Sequence, residues 1–309
     1  MKKVLSKITV ITVMSALAVT AFAGCGGNSS SNSSETSGAA ATSAESAAFD
    51  TSKTIAVVTR EEGSGTRDAF TELTGVLVKD GDTKTDNTTS SAVTINSTEA
   101  VITNVKDNDA AIGYISLGSL NDTVKALKIG SVEVNAENVK SGDYAISRPF
   151  NIAYKGKLSE VAQDFVDYIL SADGQAVVSE EGYVSVSENA AYSGKKPEGK
   201  ISVAGSSSVA PVMEKLAEAY QKINTNAKVE IQTSDSSAGM QAAMEGTCEI
   251  GMASRELKDE EAGSLESITI AKDGIAIIVN KANTCDDLTV DQIRTIYTGE
   301  TTVWSDIIK

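Results

Sequence analysis

Hydrophobic and polar positions from residue 53 onward repeatedly change from the period of a strand to the period of a helix. Residues 201–204 alternate as a strand does, and a Gly-Ser-Ser-Ser run at 205–208 interrupts the alternation. Apolar residues then recur at helical spacing, with Pro211 in the first turn, where the missing N–H of proline has no helical partner to lose. Short strands alternating with helices indicate an α/β fold.

The same kind of strand-to-helix junction occurs twice more. A strand marked by Val229 and Ile231 is followed by a turn rich in serine at 233–239, and a helix is predicted from about Met240. In the third unit, a strand over 54–58 leads to the loop that contains Arg60 and Gly63-Ser64-Gly65-Thr66, and then to a helix through Phe70 and Leu73. Three junctions of one type suggest a shared role.

Each loop allows two interpretations. Serine or threonine before a helix ordinarily caps the first N–H groups of that helix. A Gly/Ser loop can instead turn those N–H groups and its hydroxyls toward an anion. Arg60 favours the second interpretation, because a planar guanidinium matches two oxygens of a tetrahedral oxyanion. None of the loops ends in the Gly-Lys-Ser/Thr of a nucleotide-hydrolysing loop.

The N-terminus has the pattern of an export signal. Lys2, Lys3 and Lys7 precede an apolar stretch over 8–23, and Cys25 follows small residues. We expect residues 1–24 to be a lipoprotein signal peptide and Cys25 to carry the lipid; the alternative is an ordinary cleavage site that contains a cysteine. Residues 25–52 are mostly Ser, Gly, Ala, Asn and Thr, which predicts a disordered tether.

The amino-acid composition argues against several classes of function. The 309 residues carry 27 basic and 42 acidic side chains, for a net charge of −15, which argues against nucleic-acid binding. The chain has no histidine, which excludes Ser-His-Asp and Cys-His catalysis and most zinc chemistry. No carboxylate pair stands at a useful spacing either, so we expect no enzyme, no cofactor and no metal. The length suggests two domains.

Several motifs together resemble the phosphate-binding proteins of ABC-type phosphate importers. The segment at 60–70 resembles a signature of that family, and the loop at 205–211 resembles its first phosphate loop. Segments 236–239 and 249–257 are similar to the second and third loops, and 288–300 with Trp304 gives supporting matches. The resemblance covers nearly all of 53–309. It implies a two-lobed, type II periplasmic-binding-protein-like α/β fold with a ligand cleft between the lobes.

The order of these motifs differs from that of the family, in which the first phosphate loop opens the protein. The order predicts a circular permutation, with 190–199 as the new covalent joint and Lys309 close to Lys53 in space. One lobe is expected to combine 53–149 with 276–309, and the other to comprise 150–275. Extended apolar runs at 149–154 and 274–280 are the expected crossings. The alternative is a misassembled or truncated duplicated gene.

The resemblance implies which residues contact the anion. Those positions are Ser207, Ser208, Ser236 and Ser254 on one lobe, and Arg60, Ser64, Gly65 and Thr66 on the other. Glu62 matches an acidic position that steadies the arginine in the family; the alternative is a solvated charge in the turn. Ser254 stands where some members have an aspartate that accepts a hydrogen bond from protonated phosphate; Asp235 or Glu256 could replace it.

The expected function is capture of inorganic phosphate outside the cell membrane for an ABC permease, with closure of the cleft around the ligand. The protein would be a monomer held to the membrane only by its N-terminal lipid. Two alternatives stay open: a binding protein for another oxyanion (sulfate, molybdate or a phosphonate), and a phosphate sensor or adhesin without a transport role.

Overall fold

The computed structural model describes residues 48–81 and 83–308. The predicted signal peptide, Cys25 and most of the predicted tether lie outside the described residues, as does Lys309. No helix in the described ranges combines the length and the apolar character needed to cross a membrane.

Strands and helices alternate along the chain as predicted. The strands are β1 (Ala56–Arg60), β2 (Leu77–Asp80), β3 (Thr83–Asp86), β4 (Val93–Ile95), β5 (Ala111–Ser116), β6 (Lys125–Ala126), β7 (Lys128–Ile129), β8 (Ser147–Tyr154), β9 (Gly199–Ser206), β10 (Ala227–Ser234), β11 (Ile250–Ala253), β12 (Glu266–Val279) and β13 (Asp287–Leu288). The helices are α1 (Gly65–Thr74), α2 (Thr98–Asp107), α3 (Ala136–Ser141), α4 (Glu160–Leu170), α5 (Ala172–Glu180), α6 (Ala210–Ile223), α7 (Ser236–Glu245), α8 (Asp259–Ala262) and α9 (Val290–Thr298).

One sheet runs through most of the structure, in the order β10-β9-β11-β8-β12-β5-β1-β4, with β6 beside β12. Strand β9 is parallel to β10 and β11, and β1 is parallel to β4 and β5. The long strand β12 is antiparallel to β8 over Glu266–Gly274 and then antiparallel to β5 over Ile275–Val279. Because β12 changes partner at this point, it joins two regions that each have their own parallel strands.

Buried apolar side chains lie on both sides of this change of partner. Core A comprises the clusters of buried residues between 150 and 271. Core B comprises the clusters between 55 and 146 and between 275 and 304, together with Val184. The apolar stripe of helix α4, with Phe165, Tyr168 and Ile169, is buried in core A as the sequence predicts.

The last described segment pairs with the first strand region. Thr54 forms a β-bridge with Val303, and the N–H of Trp304 donates to the carbonyl of Lys53. The Trp304 ring is buried in core B, and its Nε1–H donates to the carbonyl of Ala110 at 3.0 Å. The beginning and end of the described chain are therefore held together by backbone pairing.

The segment at 190–198 contains neither helix nor strand but is fixed at several points. Tyr192 Oη donates to Asp164 Oδ2 at 2.6 Å, and the N–H of Lys195 donates to Asp164 Oδ1 at 3.0 Å. The amide of Asn224 donates to the carbonyl of Pro197 at 2.9 Å. Hydrogen bonds to helices α4 and α6 thus anchor this connection on the surface over core A.

Candidate functional site

The predicted site residues lie where parallel strands end. Strands β9, β10 and β11 all finish at one edge of the sheet, and the residues that follow them include Ser207, Ser208, Ser236 and Ser254. On the core B side, β1 ends at Arg60 and leads into the turn before α1. The carboxyl ends of parallel strands are where open α/β sheets bind their ligands. Both halves of the molecule therefore present such an edge toward the same place.

Helix N-termini supply unpaired N–H groups at this place. Ser64 caps α1 by accepting from the N–H of Arg67 at 3.4 Å, and Asp235 caps α7 by accepting from the N–H of Ala238 at 2.8 Å. The N–H groups of Gly65, Thr66 and Ser236 donate to no atom of the described residues. Such groups, at the positive end of a helix dipole, are suited to an anion.

Helix α7, which follows the second of the three predicted loops, begins earlier than the sequence indicates. We expected a helix from about Met240, but α7 begins at Ser236. Asp235 supplies the cap, so the serines after it occupy the first turn of the helix instead of the preceding loop. The consequence is functional, because the first turn is where the N–H group of Ser236 is left without a helical partner.

Serine hydroxyls on the core A side form a buried cluster. Ser206 Oγ donates to Ser254 Oγ at 2.9 Å, and the N–H of Ser254 donates to Ser236 Oγ at 3.1 Å. Ser236 Oγ and Ser254 Oγ are 3.4 Å apart. Ser206, Ser208, Ser236 and Ser254 are all buried. These groups are neutral donors and acceptors, which can rotate to suit either role.

Side chains from the core B side reach this cluster directly. Arg60 Nη2 donates to Ser207 Oγ at 3.1 Å, and Thr66 Oγ1 lies 2.8 Å from Ser208 Oγ. Gly65 is so close to the opposite side that a Cβ there would overlap Ser236 Oγ and lie 2.9 Å from Ser254 Oγ. The two sides are therefore in contact, and only a glycine at position 65 permits that approach.

Arg60 is the charged group of the site, and its surroundings fix its orientation. Its side chain is buried, with Nε and Nη2 donating to the two carboxylate oxygens of Glu61, both at 2.8 Å. Its backbone N–H donates to Tyr114 Oη at 3.0 Å. Burial raises the pKa of Tyr114 to about 12, so this phenol stays neutral. One guanidinium nitrogen, Nη2, faces both the carboxylate and the serine.

The prediction that Glu62 steadies Arg60 is wrong, because Glu61 does so. Glu61 directly follows the end of β1, and its carboxylate turns back along the guanidinium. Glu62 is exposed in the turn, in which the N–H of Ser64 donates to the carbonyl of Glu61 and Gly63 has φ +89°. The tight turn thus places Glu61 at the site and Glu62 on the surface.

A second set of ionic contacts joins the two sides at the edge of the site. Asp68 Oδ2 on α1 lies 3.0 Å from Arg255 Nε and 3.4 Å from Lys258 Nζ. Arg255 is held in place by Glu261, to which it donates at 2.7 and 2.8 Å. Burial alone would raise the pKa of Glu261, but hydrogen bonds from Arg255 and from the N–H of Lys258 lower it overall. These contacts form only while the two sides are together.

A buried ion pair joins β8 and β12 next to the point where β12 changes partner. Arg148 on β8 donates to Asp273 Oδ2 on β12 at 2.9 and 3.0 Å, and both side chains are almost fully buried. Arg148 Nη1 also donates to the carbonyl of Ser254 at 3.1 Å. Asp273 Oδ1 accepts from Ser116 Oγ at 2.9 Å. The third loop of the site is therefore tied to the strands that connect the two cores.

No carboxylate of the described residues hydrogen-bonds to the clustered hydroxyls. Asp235, one predicted replacement for an acidic group, caps α7, and Glu256, the other, is exposed. The site thus contains one guanidinium, paired with Glu61, and otherwise neutral donors.

All eight predicted anion contacts lie in this one place. The Ser64 hydroxyl differs from those of the other predicted contacts because it caps α1. Sequence reasoning missed Ser206, which bonds Ser254, and Thr98, whose Oγ1 lies 3.2 Å from Ser208 Oγ. Thr98 begins α2 directly after Ser97, which caps that helix. A strand followed by Ser-Thr and a helix was the same signal that indicated the other three loops.

The fold and the site agree with a known class of proteins. A family model described as a PBP superfamily domain matches residues 34–173 and 190–308. A sheet shared by two cores, with helix N-termini converging between them, is consistent with that match.

Similar proteins place the chain in a family within this superfamily. The chain is 52% identical over 260 residues to the phosphate-binding protein PstS 2 of Streptococcus agalactiae serotype V, covering 83% of this chain and 88% of the relative. It is 48% identical over 257 residues to the protein of the same name from Streptococcus pneumoniae serotype 4. The chain thus belongs to the PBP superfamily and, within it, to the family of PstS phosphate-binding proteins.

A solved structure matches as well. The phosphate-binding protein of a phosphate ABC transporter from Streptococcus pneumoniae TIGR4 has 47% sequence identity and a TM-score of 0.67, over 83% of this chain and 100% of that one.

Proposed function

We propose that this protein captures inorganic phosphate in the cleft between cores A and B. The observation that carries the proposal is the convergence of the Arg60 guanidinium, the hydroxyls of Thr66, Ser207 and Ser208, and unpaired helix N–H groups from both sides. A tetrahedral anion needs donors from several directions, and this site supplies them. The names of the relatives support phosphate as the ligand.

Binding is coupled to closure of the cleft. Contacts from the two sides can all reach one ligand only when the sides approach each other. Phosphate therefore stabilises the closed form through its greater affinity for it. The Asp68 contacts to Arg255 and Lys258 belong to that form and add to its stability.

The role that follows is delivery to an ABC permease on the outer face of the cell membrane. The protein would be held there by a lipid on Cys25 after removal of residues 1–24, with 25–52 as a tether, and would act as a monomer. Capture requires no bond to be made or broken, so the proposed function is not enzymatic. The solved relative is described as part of a phosphate ABC transporter, which supports this role.

We retain the circular permutation as part of the proposal. Its lobes are 150–275 and the combination of 53–149 with 276–309, and its joint is 190–199. The β-bridge between Thr54 and Val303 supports it, since permutation requires the former ends to be close. A rearranged chain that begins at 195, joins 308 to 53 and ends at 194 would test whether the other order also folds and binds phosphate.

One observation favours a wider range of anions. The hydroxyls of the site hydrogen-bond to no carboxylate in the described part of the chain, and the Glu61 carboxylate is neutralised by Arg60, so no unpaired negative charge is placed against the hydroxyls to repel a fully ionised anion such as sulfate. A serine hydroxyl can accept from protonated phosphate or donate to sulfate. Phosphate is the proposed physiological ligand, and sulfate is the competitor that measures selectivity.

Isothermal titration of the purified chain with phosphate, alone and in excess sulfate, tests the proposal. Any co-purified anion is first removed by unfolding and refolding. One-to-one binding of phosphate supports the function, and the shift caused by sulfate gives the selectivity. Absence of phosphate binding, or tighter binding of sulfate, would contradict phosphate capture.

A further inference from the structure

Thr98 lies against the predicted phosphate contacts but belongs to none of the three loops that the sequence indicates. It is the first residue of α2, which follows β4 on the core B side. Its side chain is only 5% exposed. We propose that Thr98 is a further ligand-binding residue that donates its hydroxyl to the anion; this inference rests on the proposed function.

The contacts of the Thr98 hydroxyl support a role toward a ligand. Thr98 Oγ1 lies 3.2 Å from Ser208 Oγ, 3.4 Å from Ser207 Oγ and 3.4 Å from Arg60 Nη1. The first two distances are long for O–H···O hydrogen bonds, which usually fall near 2.7–2.8 Å, and the third is long for an N–H···O hydrogen bond, which usually falls within about 2.7–3.2 Å. The hydroxyl therefore stands among three predicted contacts without a short partner of its own.

Local structure leaves this hydroxyl available. Ser97, and not Thr98, caps α2 by accepting from the N–H of Ala100 at 3.2 Å. The N–H of Thr98 donates to no atom of the described residues. Thr98 can thus offer both an O–H and an N–H at the positive end of a ten-residue helix.

The position also gives Thr98 a distinct effect on closure. Arg60 and Thr66 approach the serines from β1 and α1, whereas Thr98 approaches from α2, a separate element of the core B side. An anion held by all three would connect α2 to Ser207 and Ser208 on the opposite side. Loss of the Thr98 hydroxyl should therefore weaken the closed, ligand-bound form more than the unliganded protein.

Three variants test the proposal by phosphate titration. Thr98→Val removes the hydroxyl at nearly constant volume and should weaken binding about 10- to 100-fold, the range for a hydrogen bond to a charged group. Thr98→Ser keeps the hydroxyl and should stay within about threefold of the unaltered chain. Thr103→Val, at an exposed position of the same helix, is the matched control and should change nothing.

Thermal melting without phosphate provides the second measurement. A ligand contact predicts that Thr98→Val keeps the unliganded melting temperature but loses part of the increase that phosphate produces. The proposal is overturned if Thr98→Val binds phosphate as tightly as the unaltered chain, or if Thr98→Ser loses as much affinity as Thr98→Val.

Failure of the proposed function would be visible separately. If the unaltered chain binds no phosphate but binds sulfate, phosphate capture is contradicted, and the same variants titrated with sulfate decide the role of Thr98. If the unaltered chain binds neither anion, both proposals are wrong.

Discussion

The two sides of the proposed anion site differ in the groups that they present. The core A side presents a cluster of serine hydroxyls, of which Ser206, Ser236 and Ser254 bond one another. The core B side presents the Arg60 guanidinium, already paired with Glu61. The core A side offers neutral hydroxyls from its loops, and the core B side carries the positive charge. Neither side alone can both neutralise and surround a tetrahedral anion.

This division also explains how an acidic protein can bind an anion. Repulsion between charges that are more than about 8–10 Å apart is largely screened at physiological salt. Inside the buried site, a guanidinium and oriented N–H groups act at contact distance, where the effective dielectric constant is low. Local geometry therefore outweighs the net charge of −15.

The largest expected effect comes from removing the charge of the core B side. Arg60→Ala should weaken phosphate binding by about 100-fold or more, because it deletes the guanidinium and leaves Glu61 unpaired beside the anion. Titration calorimetry measures the change. Arg294→Ala, which removes a partly exposed, ion-paired arginine of α9 far from the site in sequence, is the matched control. Equal affinities for the Arg60 and Arg294 variants would contradict the assignment of the charge.

The next largest effect should come from preventing the two sides from meeting. Gly65→Ala places a Cβ against Ser236 Oγ and Ser254 Oγ, so we expect phosphate affinity to fall about tenfold or more. The unliganded melting temperature should change little, since the clash arises only on closure. Small-angle scattering with saturating phosphate would show whether the variant still closes; full closure at normal affinity would contradict this interpretation.

A smaller effect is expected at the edge of the cleft. Asp68→Asn removes the charge that faces Arg255 and Lys258, and partly exposed ion pairs contribute about 0.2–1 kcal/mol. Phosphate binding should therefore weaken by a few-fold at low salt, and the difference should shrink as salt is added. Asp291→Asn on α9 is the control. A salt-independent loss would indicate a steric cause instead.

The smallest effect concerns pH. The folded-state pKa of Glu261 lies below its ordinary value of 4.5, so its contribution to stability is present above pH 4.5 and is lost as the pH falls through the folded-state pKa. Chemical unfolding of Glu261→Gln should show a smaller loss of stability over that acidic range than the unaltered chain shows. Glu260→Gln, on the same short helix but exposed, should retain the full loss.

The parts of the fold and the site that depend on contacts between residues close in sequence could be predicted, and those that depend on distant residues could not. The three strand-to-helix loops follow from short-range patterns, and their residues do lie together. The beginning of α7 was misplaced because Asp235 resembles a loop residue until its capping bond to Ala238 is known. The motif points to Glu62, whereas Glu61 pairs with Arg60, because a motif gives spacing but not the direction in which a turn points each side chain.

Contacts between distant segments lay beyond sequence reasoning. Asp68 meets Arg255, and Arg148 meets Asp273, only because the cores pack as they do. Neither pair has a local pattern that would indicate its partner. Thr98 differs, since its setting repeats the pattern of the other loops; its short strand β4, with two of its three residues exposed, gave a weak strand signal.

A crystal structure of the chain with bound phosphate would show whether both sides of the proposed site contact the anion. The account predicts one phosphate between cores A and B, with oxygens within hydrogen-bond distance of Arg60, of Thr66 and Thr98, and of Ser207 or Ser208. A phosphate bound elsewhere, or one that contacts only one side of the cleft, would contradict the claim that the charged side and the hydroxyl side hold the anion together.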